Sequence, residues 1–203
     1  MKALKLFGIT FIGIMLLYAC EKQDDEINSE DIASFKANLE SIYGKTNGRL
    51  ELPFKAHFYT KRDYSNAGEG YCTEDPFLAF NYQVGEGEAT YLGHFTTTMQ
   101  FCGAGFDYNN GQGTLVAANG DELYFTIAPG AVGHVIPIED PYYEANFKDP
   151  IVFTGGTGRF EDASGNIITD SYVNLFDDEG NFIPEHQTDH YWSGTLVLPS
   201  GND

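Results

Sequence analysis

The sequence predicts an all-β protein whose main domain is an eight-stranded antiparallel barrel with one short N-terminal helix. After Gly44, apolar residues recur with period two in short runs rich in aromatic and β-branched side chains, which is the pattern of strands. Short turn signals separate several of these runs, so neighbours in sequence become neighbours in the sheet. An up-and-down barrel suits such a series because closure removes exposed strand edges, and a β-sandwich is the alternative.

Residues 1–19 have the layout of a secretory signal peptide. Lys2 and Lys5 precede an uncharged apolar run over residues 6–18, which is too short to span a bilayer comfortably. The junction Leu17-Tyr18-Ala19-Cys20 resembles a bacterial lipobox, in which cleavage precedes a cysteine whose sulfur takes the lipid. The resemblance implies a membrane anchor at Cys20, and an ordinary signal peptide followed by a chance cysteine is the alternative.

Residues 20–28 follow as an acidic tether. The stretch Glu21-Lys22-Gln23-Asp24-Asp25-Glu26 cannot bury itself and should stay solvated. An acidic stretch with a lysine directly after the lipidated cysteine also resembles the export signal of Bacteroidota surface lipoproteins. That resemblance implies the outer membrane, facing either the cell surface or the periplasm. Residues 29–203 are long enough for a single domain with its own core.

The domain begins with one predicted amphipathic helix over residues 29–43. Ser29 can serve as its N-cap, and Gly44 can end it. The apolar stripe consists of Ile32, Phe35, Leu39 and Ile42. The opposite face is acidic and would be repelled by anionic lipid headgroups, so we expect the stripe to pack on the domain.

Eight strands are predicted along the rest of the domain. Their ranges are 51–60, 77–84, 88–101, 114–118, 122–129, 147–154, 164–175 and 187–198. Hairpin turns are expected at Gly85-Glu86-Gly87, at Asn119-Gly120-Asp121 and over residues 177–181. The long segment 130–146 is expected to be either a functional lid or a flexible insertion.

The charge of the chain excludes nucleic acid as a partner. The formal net charge is −19, and removal of Lys2 and Lys5 with a signal that carries no carboxylate makes the mature chain −21. A protein this acidic repels the phosphate backbone instead of neutralising it.

Two cysteines remain after Cys20, and they can pair in only one way. In an oxidising compartment we expect a disulfide between Cys72 and Cys102, which would tie the segment before the second strand to the end of the third. A metal site that used both cysteines with His94 would lack the close cysteine spacing of zinc sites.

The segment Gly155-Gly156-Thr157-Gly158 looks like a nucleotide-binding turn, but the wrong residues follow it. Such a turn needs a helix whose N-terminal amides meet the phosphates. Here Glu161 and Asp162 occupy the phosphate position and would repel the ligand, and strand-like alternation resumes at Ile167. The glycines therefore predict no nucleotide site but a sharp turn that lets Phe160 tuck across the barrel end.

The same turn resembles a known family of barrels. Its residues Gly155, Gly156, Thr157, Gly158, Phe160, Ala163 and Gly165 are similar to the GGTG-x-F-x-x-A-x-G signature of the dirigent and allene-oxide-cyclase-like barrels. The resemblance implies an eight-stranded barrel with an apolar lumen, and some members steer coupling or cyclisation of small hydrophobic molecules. The matched residues build a turn and none is a catalytic residue of those enzymes, so the resemblance implies the fold and not a reaction.

No set of residues in the sequence predicts catalysis, a cofactor or a metal site. His186 and His190 lie four apart, but alternation around them predicts a strand and favours solvated histidines over a metal site. A Gly-x-Ser-x-Gly nucleophile motif is absent, and with 30 acidic residues any pair of carboxylates is expected by coincidence.

The function predicted from the sequence is that of a lipid-anchored binding or interaction module. The 16 Phe and 13 Tyr residues can either fill the barrel lumen or line an open cavity for a small apolar ligand. A dirigent-like or cyclase-like enzyme acting on a hydrophobic small molecule is one alternative, and it needs an open lumen with an acid and a base. A glycan-binding surface is another, and it requires Trp192 and tyrosines exposed in one exterior row.

Overall fold

The computed structural model describes residue 37, residues 48–177 and residues 179–200. Eight strands form the barrel: β1 Arg49–Arg62, β2 Ala79–Ala89, β3 Gly93–Ala104, β4 Asp107–Ala117, β5 Glu122–Ile127, β9 Pro150–Gly156, β10 Ser164–Phe176 and β11 Phe182–Pro199. Three short strands lie between β5 and β9, namely β6 Gly133–His134, β7 Ile136–Pro137 and β8 Ala145–Phe147. The signal 1–19, the tether 20–28 and, apart from residue 37, the predicted helix 29–43 lie outside the described residues. Within the part that is described, no helix has the length and apolar character needed to cross a bilayer.

Each barrel strand pairs antiparallel with its two neighbours, and the sheet closes on itself. The order is β1-β2-β3-β4-β5-β9-β10-β11, and β11 pairs back with β1. The closing ladder between β1 and β11 runs from the pair Arg49↔Pro199 to the pair Lys61↔Gln187. The prediction of an eight-stranded antiparallel barrel is therefore confirmed, and the sandwich alternative is wrong.

Alternate residues of the strands face the interior, as the period-two pattern requires. The clearest example is β1, whose inward residues are Leu50, Leu52, Phe54, Ala56, Phe58 and Thr60. The residues between them are exposed or half-buried. Complete burial of a leucine or phenylalanine side chain contributes roughly 1.5–3 kcal/mol, so β1 supplies a large share of the core.

The predicted turn at Gly85-Glu86-Gly87 is wrong, because these residues lie inside β2 and the chain reverses at residues 90–92. A Cβ atom at Gly85 would lie 1.8 Å from the carbonyl oxygen of Tyr59. Glycine is needed here because the backbones of β1 and β2 approach closely, and not because the chain turns. The reversal itself uses Tyr91, whose φ is 68°.

The segment 130–146 is held against the barrel by short ladders. Strand β6 pairs with β4, β7 pairs with β8, and β8 pairs with β10. In addition, the hydroxyl of Tyr143 donates a hydrogen bond to Asp189 of β11 at 2.7 Å. These pairings make the segment part of the barrel wall.

The glycine-rich turn closes one end of the barrel. A short 3-10 helix, Gly158–Phe160, leads from β9 into β10, and the side chain of Phe160 is completely buried. Gly158 has a φ of 55°, and a Cβ atom there would lie 1.9 Å from Oδ1 of Asp121. The guanidinium of Arg159 donates from Nε to Oδ2 of Asp121 at 2.6 Å, which ties this turn to the β4–β5 hairpin. The glycine at position 158 therefore makes room for a partly buried ion pair.

Cys72 and Cys102 are joined by a disulfide, with their Cα atoms 5.5 Å apart. Cys72 lies in the connection between β1 and β2, and Cys102 lies near the end of β3. The bond therefore fastens this long connection to the barrel wall.

Candidate ligand-binding cavity

The barrel is filled at one end and hollow at the other. At the filled end, beside the glycine-rich turn, five large side chains are 0–1% exposed: Leu50, Leu52, Phe160, Leu196 and Leu198. The other end holds a cavity of about 340 Å³, lined by the last part of β1 and β3 and by the first part of β2, β4 and β11. Side chains thus fill one end of the lumen and leave a cavity at the other, so each of the two alternatives left open by the sequence applies to one end.

Aromatic rings form much of the cavity wall. Phe101, Tyr108 and Phe147 contact one another in series, with ring centroids 5.2 and 5.7 Å apart. Trp192 lies at the deep end, where its ring packs edge-on against Phe125 with a centroid distance of 4.9 Å. All five residues line the cavity, so a flat apolar molecule would be surrounded by rings.

A chain of buried polar side chains runs through the wall beside Trp192. The hydroxyl of Thr60 donates to Oε1 of Gln83 at 2.6 Å, so its oxygen accepts from Nε2 of His190 at 2.9 Å. Nδ1 of His190 then carries no proton and accepts from the hydroxyl of Ser171 at 2.9 Å. Complete burial lowers the pKa of His190 to about 3, so its ring is neutral at pH values near 7.

The Ser171–His190 pair lacks the access that a nucleophile needs. Ser171 is completely buried and does not line the cavity. Both ring nitrogens of His190 are engaged, and its lowered pKa makes it a weak base. The pair therefore fixes the barrel wall instead of activating a hydroxyl group.

Asp149 brings a carboxyl group to the cavity wall. It lies just before β9, is 4% exposed, and accepts a hydrogen bond from the hydroxyl of Tyr108. Its backbone N–H donates to Oγ1 of Thr169 at 2.7 Å, which fixes its position. Burial raises the pKa of Asp149, and the hydrogen bond from Tyr108 offsets part of that rise. Burial and the nearby carboxyl group also raise the pKa of Tyr108, so its hydroxyl stays protonated.

Residues that line the cavity carry buried polar atoms without a hydrogen-bond partner in the described part of the chain. Four buried side-chain atoms lack a hydrogen bond within the described residues, and three of them belong to residues that line the cavity. These three are Nε1 of Trp192, Oδ1 of Asn81 and Nδ1 of His186. A buried polar group without a partner is unfavourable by about 1–3 kcal/mol, so folded proteins retain few of them. Three of these four atoms therefore belong to residues around one cavity.

The mouth of the cavity carries one cation and one exposed ring. Arg62 donates from Nη2 to the carbonyl oxygen of Phe80 at 3.2 Å and lines the opening. Burial, together with the charge of Arg62, lowers the pKa of His186, so that ring is also neutral at pH values near 7. Phe106 stands at the rim with 58% of its surface exposed.

The structure corrects two interpretations of the sequence. The expectation of solvated histidines is wrong for His190, which is 2% exposed, and Trp192 is not an exterior residue, because it is 3% exposed. Both alternate inward along β11. No sequence pattern singles out Tyr108 and Asp149, which are separated by 41 residues and meet only in the folded barrel.

Several predicted features lie elsewhere. Cys20 is outside the described residues. The disulfide of Cys72 and Cys102 and the turn of Gly155–Gly165 are architectural, and neither lines the cavity. Within residues 48–177 and 179–200, no three His, Cys, Asp or Glu side chains are grouped so that they could hold a metal ion. Comparison of the chain with protein-family models, with curated proteins and with solved structures found no match.

Proposed function

We propose that the protein is a lipid-anchored binding protein of the bacterial outer membrane, and that it holds a small, largely apolar molecule in the barrel cavity without transforming it. The observation that carries this proposal is a cavity of about 340 Å³ whose lining residues include three with an unpartnered buried polar atom. Small-molecule sites are typically apolar cavities of this size in which a few polar groups fix the orientation of the ligand.

The residues that line the cavity restrict which chemical groups the ligand can carry. The aromatic wall favours a flat ring system. The indole N–H of Trp192 requires an acceptor such as a carbonyl oxygen, and Oδ1 of Asn81 requires a donor such as a hydroxyl group. The ligand we propose is therefore a compact ring compound that carries at least one acceptor and one donor.

The proposed anchor suits exchange of the ligand with the aqueous phase. The chain from Cys20 enters β1 at Arg49, at the filled end of the barrel, whereas the mouth lies at the end where β1 finishes at Arg62. The opening is thus at the opposite end of the barrel from the point where the tethered segment joins. Metabolic labelling with a radioactive fatty acid tests the anchor: the wild-type protein is labelled, and Cys20→Ala abolishes the labelling.

A dirigent-like or cyclase-like enzyme is the second candidate, and Asp149 is the observation that favours it. A carboxyl group with a raised pKa beside an apolar cavity can donate a proton to a bound molecule. The resemblance of the glycine-rich turn to those barrels agrees with this role. Against it, His190 is engaged at both nitrogens and offers no free base.

The two candidates differ in what the purified protein releases. A binding protein releases the same molecule whether or not Asp149 is intact. An enzyme that uses Asp149 as its acid accumulates substrate in Asp149→Asn and product in the wild type. Mass spectrometry of the small molecules extracted from both proteins after purification from their native membranes distinguishes these outcomes.

A fluorescent ketone tests the binding proposal directly. Trp192 is the only tryptophan of the chain and lines the cavity, so it can transfer excitation energy to a probe bound beside it. Prodan, a neutral naphthalene ketone, meets the proposed requirements for an aromatic ring and an acceptor. We expect saturable energy transfer from Trp192 to prodan.

A matched pair of phenylalanine variants supplies the control. A Cβ atom at Gly103, which lines the cavity, would meet its nearest atom at 3.6 Å, an ordinary contact, so Gly103→Phe can fill the cavity. Thr96→Phe adds the same ring to the exposed face of the same strand. Loss of binding in Gly103→Phe alone supports the proposal, whereas equal binding by the two variants contradicts it.

A further inference from the structure

Four aromatic rings form a continuous row on the outside of the barrel. The rings are those of Tyr143, Tyr172, Tyr191 and His57, which we call the aromatic row. The centroid distance is 5.3 Å from Tyr143 to Tyr172 and 6.1 Å from Tyr172 to Tyr191. Tyr191 and His57 stack at 4.5 Å with an angle of 11° between their planes.

Strand register sets the pattern of this face. Tyr191 is paired with His57 of β1 on one side and with Asp170 of β10 on the other. One step along, Tyr172 of β10 is paired with Asp189 of β11. Tyr191 and Tyr172 therefore each have a carboxylate as their cross-strand neighbour between β10 and β11, which places a hydrogen-bonding group beside each of these rings.

Hydrogen bonds hold the carboxylates of this face in fixed positions. Asp189 accepts from the hydroxyl of Tyr143 at 2.7 Å and from the amide of Gln187 at 2.9 Å. Asp170 accepts from the amide of Asn146 at 2.9 Å and lies 3.1 Å from Nζ of Lys148. The groups that flank the rings are therefore ordered before any ligand arrives, which lowers the entropy lost on binding.

The face is less acidic than the chain as a whole, which carries a charge of −19. The three lysines of the described part of the chain all lie here: Lys55, Lys61 and Lys148. They accompany six carboxylates, those of Asp140, Asp170, Glu185, Asp189, Glu86 and Glu88. Lys61 already lies over the ring of Tyr59 at 6.0 Å, and Lys148 already pairs with Asp170. Three lysines and six carboxylates leave this face with a formal charge of −3, which does not attract a polyanion.

We infer that the aromatic row binds a neutral saccharide chain. The apolar C–H faces of sugar rings pack on exposed aromatic rings, while sugar hydroxyl groups donate to carboxylates and accept from lysine and amide N–H groups. Tyr191 lies at the centre of the row with 44% of its surface exposed. The proposed saccharide site consists of tyrosines and a histidine and does not include the buried Trp192. It is separate from the internal cavity.

Affinity electrophoresis tests the assignment. The folded domain is run through native gels that contain a neutral linear β-glucan, an α-glucan or a β-mannan. At least one of these is expected to retard the wild type, and Tyr191→Ala is expected to bind about fivefold or more weakly, the effect of losing one ring contact. Ile168→Ala, which removes an exposed side chain of the neighbouring strand β10 that is not part of the row, is expected to migrate like the wild type.

Three results would overturn the inference. The first is that none of the three polysaccharides retards the wild type. The second is that Tyr191→Ala and Ile168→Ala bind equally well. The third is that Tyr191-dependent retardation occurs with polylysine instead. Gly103→Phe separates the two proposals, because it is expected to lose prodan binding while its retardation by polysaccharide is unchanged.

Discussion

Replacing His190 with glutamine tests whether the imidazole in the chain of polar side chains is buried and neutral in the folded protein. Glutamine can still donate to Thr60 and accept from Ser171, but it does not titrate. It also loses the stacking of the imidazole on Phe58, whose centroids lie 4.5 Å apart. We therefore expect His190→Gln to be less stable than the wild type at neutral pH.

The sign and size of the pH effect follow from the shift in pKa. Burial lowers the pKa of His190 from 6.5 to about 3, so the unfolded chain binds this proton more readily than the folded one. The contribution of His190 to the free energy of unfolding is fully present above pH 6.5, the pKa of this group in the unfolded chain. It falls as the pH drops towards the pKa of about 3 in the folded protein. At about pH 5 the wild type should have lost about 2 kcal/mol on this account, and the glutamine variant none.

Urea unfolding followed by Trp192 fluorescence measures this difference, because the ring centroids of His190 and Trp192 lie only 6.2 Å apart. Carboxylates that titrate in the same range contribute to both proteins and cancel in the comparison. The stability gap between the two proteins should narrow by about 2 kcal/mol between pH 7 and about pH 5. A gap that stays constant would refute the assignment of His190 as a buried neutral ring.

Two further predictions concern the architecture. Gly158→Ala should destabilise the domain by several kcal/mol, because its Cβ would lie 1.9 Å from Oδ1 of Asp121. Gly120 has a φ of 87°, but no atom would crowd a Cβ there, so Gly120→Ala should lower the free energy of unfolding by only about 1–2 kcal/mol. Thermal unfolding of both variants checks this, and equal losses would contradict the steric argument. Removing the disulfide by Cys72→Ser with Cys102→Ser should lower the free energy of unfolding by about 3–4 kcal/mol in the chain-entropy model, as measured by urea unfolding under oxidising conditions. An unchanged midpoint would show that the β1–β2 connection is already fixed without the bond.

The features that could be predicted from the sequence are those set by short-range pattern. Alternation in β1 defines both the strand and its inward face, and Asn119-Gly120-Asp121 is a turn because its residues favour one wherever they occur. The turn predicted at Gly85 is wrong because glycine occurs both in turns and where two strands approach closely. Only the position of the neighbouring β1 determines which of the two applies. The predicted strand 114–118 covers only the last part of β4, whose earlier residues are largely polar or glycine.

The candidate site could not be predicted, because it depends on contacts between distant parts of the chain. Tyr108 and Asp149 carry no shared motif, and each is a common residue type in this sequence. The inward direction of His190 and Trp192 follows from the phase of the alternation in β11, which the sequence leaves undetermined when both faces carry aromatic residues. The empty half of the lumen depends on the summed volumes of side chains from eight strands.

The indole N–H resonance of Trp192 offers the most direct test that the cavity binds a ligand. The chain has a single tryptophan, so a proton–nitrogen correlation spectrum of the domain contains one indole signal, from a group that has no partner within the described residues. Prodan is expected to shift this signal saturably and downfield, because its carbonyl oxygen accepts the hydrogen bond, and the shift is expected to be absent in Gly103→Phe. A signal that stays unchanged at saturating prodan would contradict the proposal that the cavity is a ligand site.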